Sequence, residues 1–331
     1  MRFGLFGSAQ ARRGSADPAA GFRDYVDYAV EAEALGFASA FLVEHHFTGI
    51  GQVSATLGLL AWVAARTTRL RLGTAVLVLP WHNPVLLAEA AATLDLMSGG
   101  RLDFGVGKGY RRNEFDGFQL DIAEAEARFA EALGVILKAW TSDERFSHRG
   151  RFWRFENVLV EPAPLQRPHP PLWMAAGSAD SIREVATRGA NLLLDQFAPA
   201  AAIAERIALF RAAVEAQGRR FDPTMVAVAR NVFVTYDAAE QAAALERLRG
   251  QHAHMIALSQ HTARPVASHI LSYAGDGSAE AAALYGSPDA IARGLAALAD
   301  AGAAYVLVNG GGTARDNLRR FARDVMPAFA P

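Results

Sequence analysis

Residues 70–110 read LRLGTAVLVLPWHNPVLLAEAAATLDLMSGGRLDFGVGKGY, and this stretch decides the fold. Leu70 to Leu79 is a largely apolar run that reads as a strand. Pro84 opens a helix that runs to Met97, in the first turn, where its missing N–H leaves no bond unmade. Gly99-Gly100 breaks that helix, and Arg101 to Val106 returns as the next strand. Strand, helix and strand in this order make a βα unit of a parallel sheet.

The same alternation extends outward in both directions. Upstream lie a strand over Arg2 to Phe6, a helix over Phe22 to Leu35 ended by Gly36, a strand over Ala38 to Val43, and a helix over Ser54 to Arg66 with Ser54 near its N-cap. Downstream, Ile122 to Trp140 reads as a long helix, and the irregular stretch Thr141 to Pro171 holds a hairpin around Arg151 to Val160. Strands follow at Leu172 to Ala176, Asn191 to Asp195, Thr224 to Thr235 and Ala304 to Asn309. Eight strand–helix pairs predict a single α/β domain over 1–331, a TIM (β/α)8 barrel with insertions after strand 4 and strand 7. The second insertion, 251–286, is polar and long enough to be a lid.

With 51% apolar and 20% charged residues the chain has material for a large core and no disordered composition. Lys+Arg total 33 against Asp+Glu 34, so no net field favours nucleic acid or an anionic membrane. The absence of Cys removes disulfides, thiolate metal sites and thiol nucleophiles together. No run approaches the length of a spanning helix and the start reads as a first strand, which predicts a cytoplasmic protein.

In such barrels chemistry sits at the C-terminal ends of the strands. There the sequence places Glu44-His45-His46-Phe47, Gly107-Lys108-Gly109-Tyr110, Gly177-Ser178 and Asn309-Gly310-Gly311-Gly312. His45 or His46 offers an acid or base near neutral pH. A metal held by both is excluded, since successive side chains of a strand point to opposite faces. Gly177-Ser178-Ala179-Asp180-Ser181 joins a strand to a helix and offers free N–H groups and two hydroxyls to a phosphate, although a serine there also serves as a plain N-cap. Gly105 to Gly109 lacks both the Walker and the dinucleotide spacing, so its glycines suit close approach of a flat ligand. Phe6, Trp81, Tyr110, Phe115 and Trp173 are candidates for an apolar lining.

Several segments together resemble the luciferase-like flavin-dependent monooxygenases. They are Met1-Arg2-Phe3-Gly4, Leu42 to Thr48, Leu70 to Ala75, Val78-Leu79-Pro80, His82 to Val85, Leu94 to Ser98, Gly100 to Gly105, Lys108-Gly109-Tyr110, Ala176 to Ala179, Gly286-Ser287-Pro288 and Asp324 to Pro327. The resemblance implies an FMN across the strand ends, its phosphate at Ser178 and Ser181 with help from Gly177, and Lys108 and Tyr110 beside the flavin. Thr74, Ala75 and Gly107 would border its ring, with a cis peptide between Ala75 and Val76. His45 matches the catalytic histidine. It would manage protons around the flavin C4a-hydroperoxide formed from reduced FMN and O2, in the oxygenation of a small, apolar organic substrate.

Two departures stand out. Gly107 occupies the position of the reactive cysteine of bacterial luciferase, and Gly177 that of an acidic residue on the phosphate side, which argues against light emission. With no dinucleotide fingerprint, reduced flavin would come from a separate NAD(P)H:flavin reductase, and the resemblance further implies a homodimer. The alternatives are an F420-dependent oxidoreductase on the same barrel and a flavin-binding protein without turnover.

Overall fold

The structure, a computed structural model, describes residues 1–11, 14–259, 269–273, 275 and 277–330. Twelve strands are present among them: β1 (Arg2–Gly7), β2 (Ser39–Leu42), β3 (Arg71–Thr74), β4 (Leu77–Val78), β5 (Leu102–Gly107), β6 (Phe146–Arg149), β7 (Arg154–Val158), β8 (Leu172–Ala175), β9 (Asn191–Leu194), β10 (Val226–Val234), β11 (Leu284–Gly286) and β12 (Tyr305–Asn309). Eight of these close a parallel ring in the order β1, β2, β3, β5, β8, β9, β10, β12, and β12 pairs back onto β1 from Arg2↔Tyr305 to Leu5↔Val308. This is the expected (β/α)8 barrel, with helices between its strands.

The period of two along each strand divides the core. Phe41, Trp173, Leu193, Ala227, Tyr305 and Leu307 point inward and fill the barrel, with Phe6, Ala75 and Val76 packed on them. Their neighbours, such as Leu42, Leu72, Phe104, Leu192 and Val306, belong to the larger layer between strands and helices. The floor is polar and closed: Arg71 makes a two-pronged ion pair with Asp103 at 2.8 Å, and Ser39 and Tyr305 share a hydrogen bond. Ligands must therefore enter at the other end.

Local chemistry explains where the boundaries differ from expectation. Strand three does not run unbroken to Leu79; it stops at Thr74, passes a cis peptide between Ala75 and Val76, resumes as β4 beside β5, and ends in a 3-10 turn over Leu79–Trp81. The hairpin lies earlier than expected, over β6 and β7, because Glu131 gathers the turn by accepting from the N–H groups of Arg151, Phe152 and Trp153. Ser54 makes no N-cap: the helix Thr56–Arg66 starts after Ala55 without a side-chain cap, whereas Asn83 caps the helix Pro84–Met97 through Val85 and Leu86. The first of these helices thus relies on packing rather than capping.

Both insertions are where expected. The one after β5 carries the hairpin; the one after β10 leaves along the helix Ala238–Ser259 and returns as β11, paired to Val232–Val234. Of the stretch 251–286 expected to form a lid, 260–268, 274 and 276 lie outside the described residues.

Candidate functional site

His45 follows β2 at the open end of the barrel. Its Nδ1 lies 2.9 Å from Glu114 Oε1, and the same carboxylate oxygen accepts the His46 backbone N–H at 2.9 Å. Glu114 is itself buried, so its carboxylate fixes Nδ1 as the protonated nitrogen and leaves Nε2 as the acceptor. Burial pushes the His45 pKa below the usual imidazole value, the Glu114 bond opposes this, and the nearby Arg111 guanidinium pushes it down again. The net direction is down, which gives a neutral ring at pH 7. Tyr110, after β5, sets its ring edge-on to His45 at 6.4 Å between centroids.

His46 points the other way. Its Nε2 is 3.0 Å from Glu44 Oε1, and its ring sits among Phe118, Trp81 and Phe47. Glu44 also accepts from Val78 N–H at 2.7 Å, His82 Nε2 at 2.8 Å and Trp81 Nε1 at 3.4 Å. Burial raises its carboxyl, but the bonds from His46, His82 and Val78 outweigh that and hold its pKa down to about 2. The structure therefore separates the histidines: His46 belongs to a buried hub and His45 faces the mouth. Sequence reasoning gave no role to Glu44 or Glu114, although a carboxylate beside two histidines and another four residues after Tyr110 were available signals.

The other expected site residues divide. Ala75 and Val76 pack on the barrel interior, and a Cβ at Gly107 would meet Val76 Cγ2 at 2.5 Å, so this rim is lined by the smallest residues. Thr74, expected along the flavin, is fully buried, and its hydroxyl is taken by Gly105, donating to the carbonyl at 2.7 Å and accepting the N–H at 2.8 Å. That staple joins β3 to β5. Lys108 pairs with the Glu126 carboxylate and lies 3.4 Å from Glu184 Oε2, so its ammonium is engaged on two sides. Ser178 follows Gly177 and caps the helix Ala179–Thr187, its Oγ accepting the Ser181 N–H at 3.4 Å and hydrogen-bonded to the Ser181 hydroxyl.

The aromatic residues do not form one lining. Phe6 and Trp173 belong to the barrel interior, while Trp81 stacks on Phe118 and meets Phe115 edge-on outside it, around His46. Trp173 Nε1 is buried and has no hydrogen-bond partner among the described residues. An unpaired buried N–H is costly, and a ligand acceptor at the barrel interior would satisfy it. Over the mouth runs the C-terminal half of the helix Ala238–Ser259: His254 Nε2 is 3.3 Å from the Thr48 carbonyl, and His252 packs on Phe197 at 4.9 Å between ring centroids. The helix also packs on Arg112–Gly117, so it roofs loops from three strands. Among the described residues no group of three His, Asp or Glu is arranged to hold a metal ion.

Comparison with known proteins gives a consistent picture. A family model described as luciferase-like monooxygenase matches residues 1–305. The chain is 30% identical over 194 residues to the oxygenase component of the flavin-dependent trigonelline monooxygenase of Acinetobacter baylyi, which covers 58% of this chain and 53% of that protein. It is 32% identical over 197 residues to the F420-dependent glucose-6-phosphate dehydrogenase of Amycolatopsis mediterranei, covering 54% of this chain and 58% of the relative. The chain thus spans about half the length of each of these two relatives. Among solved structures, the monooxygenase RslO1 of Streptomyces bottropensis superposes with a TM-score of 0.86 at 26% identity over 100% of both chains.

Proposed function

We propose that this chain, which belongs to the luciferase-like monooxygenase family, is the oxygenase component of a two-component system that uses reduced FMN and O2 on a small organic substrate. The observation that carries the reading is the His45–Glu114 pair, which presents a neutral, oriented imidazole at a barrel mouth rimmed by Ala75 and Gly107. Bound FMN supplies the activation of O2. The residues fit such a group: the small rim leaves room for a flat ring, Trp173 Nε1 waits for an acceptor, and Ser178 and Ser181 offer hydroxyls at the N-terminus of a helix to a phosphate. Lys108 would reach that phosphate by leaving one of its carboxylates. His45 Nε2 takes and returns a proton at the reacting centre, Glu114 holds its tautomer, and the helix Ala238–Ser259 over the mouth keeps water out.

A separate reductase supplies reduced flavin in this reading, and the cytoplasm is where such a partner operates. A homodimer is supported by Trp62, Leu86 and Met97, which are 40%, 64% and 62% exposed on two helices packed side by side, Thr56–Arg66 and Pro84–Met97. Such an apolar face needs a partner.

The test is an anaerobic titration with FMN and with reduced FMN, followed by an oxygen pulse with flavin absorbance and O2 uptake recorded. Tight binding of reduced FMN and O2 uptake support the reading; failure of both flavin forms to bind overturns it. The second reading, F420-dependent hydride transfer, is favoured by the F420-dependent relative, whose match is as long as that of the oxygenase. It predicts F420 binding without O2 uptake.

A further inference from the structure

Three arginines among the described residues are buried: Arg111, Arg206 and Arg230. Arg206 pairs with Asp195 at 3.0 Å, and Arg230 donates to the carbonyls of Ala198, Ala229 and Asp195 at 2.6 to 2.9 Å. Arg111 differs from both. It is 5% exposed, yet the one hydrogen bond of its side chain among the described residues is a long one, 3.4 Å from Nε to the Tyr110 hydroxyl, with the guanidinium 5.7 Å from the centre of the Tyr110 ring. Glu114, three residues on, already receives His45 Nδ1 and the His46 N–H. The side chain of Arg111 is thus almost wholly buried beside Tyr110 and His45, and among the described residues no carboxylate pairs with its guanidinium.

A buried cation without a counter-charge is strongly unfavourable, and a guanidinium presents a planar fork matched to a carboxylate. Lys108 does not supply an equivalent free charge, since Glu126 and Glu184 hold it. We propose that Arg111 is the substrate-binding cation of this site and that the substrate is an organic acid, held by its carboxylate beside His45. This rests on the barrel mouth being the active site. An anionic group has a second possible source, the phosphate of FMN, and the experiment separates the two.

Wild type, Arg111→Gln and Arg111→Lys are titrated calorimetrically in low-chloride buffer with benzoate and with benzamide, its neutral isostere, and separately with FMN. The expected result is that wild type prefers benzoate by about tenfold or more, that Arg111→Gln abolishes the preference with FMN affinity unchanged, and that Arg111→Lys keeps part of it. Equal binding of benzoate and benzamide to wild type, no binding of either, or a preference surviving in Arg111→Gln overturns the proposal. So does a loss of FMN affinity in Arg111→Gln with the preference intact, which assigns the cation to the cofactor. If Arg111→Gln fails to fold by circular dichroism, the wild-type comparison and Arg111→Lys decide. A benzoate preference in a protein that binds neither form of FMN would support Arg111 and sink the flavin reading alone.

Discussion

His45 and Glu114 stand 2.9 Å apart, Nδ1 to Oε1, and come from different strand ends, one after β2 and one in the short helix after β5. A carboxylate that orients an imidazole does two things at once: it selects the tautomer, and it raises the ring's basicity against the burial that lowers it. Glu114 reaches over to the neighbouring backbone N–H of His46 as well, so the strand end and the ring are fixed by one side chain.

The first prediction is a pH profile. Because the net shift on His45 is downward, the acid limb of kcat/KM falls below the usual imidazole value of 6.5. Glu114→Gln removes an upward influence, so that limb moves to still lower pH. His45→Asn removes the limb and costs about 10²- to 10⁴-fold in turnover, the range for a positioned acid or base. A limb that stays in place in His45→Asn would show that another group titrates.

Glu44 should matter to stability through pH. Its pKa is lowered in the folded chain from 4.5 to about 2, so its contribution is complete above pH 4.5 and lost as pH falls toward 2. Glu44→Gln leaves the Val78 and Trp81 N–H groups and two imidazoles with a weaker acceptor, at a cost of roughly 1–3 kcal/mol near neutral pH. Urea denaturation of both proteins from pH 7 down to the acid transition should show the gap narrowing through that window. A gap independent of pH would mean the charge is not what stabilises the hub.

Gly105 is the tightest glycine of the ring. A Cβ there would lie 1.7 Å from the Thr74 carbonyl oxygen, inside the staple that joins β3 and β5. Gly105→Ala is expected to destabilise by about 1–3 kcal/mol or more, as overpacking does. Gly134, on the exposed side of the helix Ala125–Thr141 with nothing within 4 Å of a Cβ, should give the opposite sign, a gain of roughly 0.5–1 kcal/mol on Gly134→Ala. Thermal melts of the pair check both directions.

Phosphate recognition should be separable from ring recognition by comparing FMN with riboflavin. Ser178→Ala weakens FMN and not riboflavin, and costs about 1 kcal/mol of stability as a lost N-cap. Glu126→Gln releases Lys108, and FMN binds about two- to fivefold more tightly at low salt, the scale of an exposed ion pair. Added salt erases the gain. A riboflavin affinity that moves in step with FMN would place the effect on the ring instead.

The barrel was legible because its signal is repeated: eight apolar runs alternate with helical ones, and each confirms the others. What stayed hidden depended on geometry that spacing does not encode. Glu44 and Glu114 lie 70 residues apart and work on adjacent histidines, and although each sits near a histidine or Tyr110 in sequence, only the fold shows which imidazole each one holds. Thr74 was expected along the flavin from the family resemblance, but Gly105 across the sheet takes its hydroxyl. The break at Ala75-Val76, in contrast, was anticipated from the family resemblance. Lys108 was read as a cation from its position, while its partners Glu126 and Glu184 come from two different helices.

The way β11 joins the sheet bears on how this protein can change. It pairs with Val232–Val234, beyond the part of β10 that bonds to β9 and β12, so it adds nothing to the closure of the ring. The segment that roofs the mouth thus departs from one strand and comes home to the same strand. A graft of another size between Val234 and Leu284 is expected to leave the registers of the ring in place, while the contacts of the helix Ala238–Ser259 with Thr48 and with Arg112–Gly117 change. On the proposed reading, variation in which molecules are admitted would accumulate in that one module while the scaffold is inherited whole.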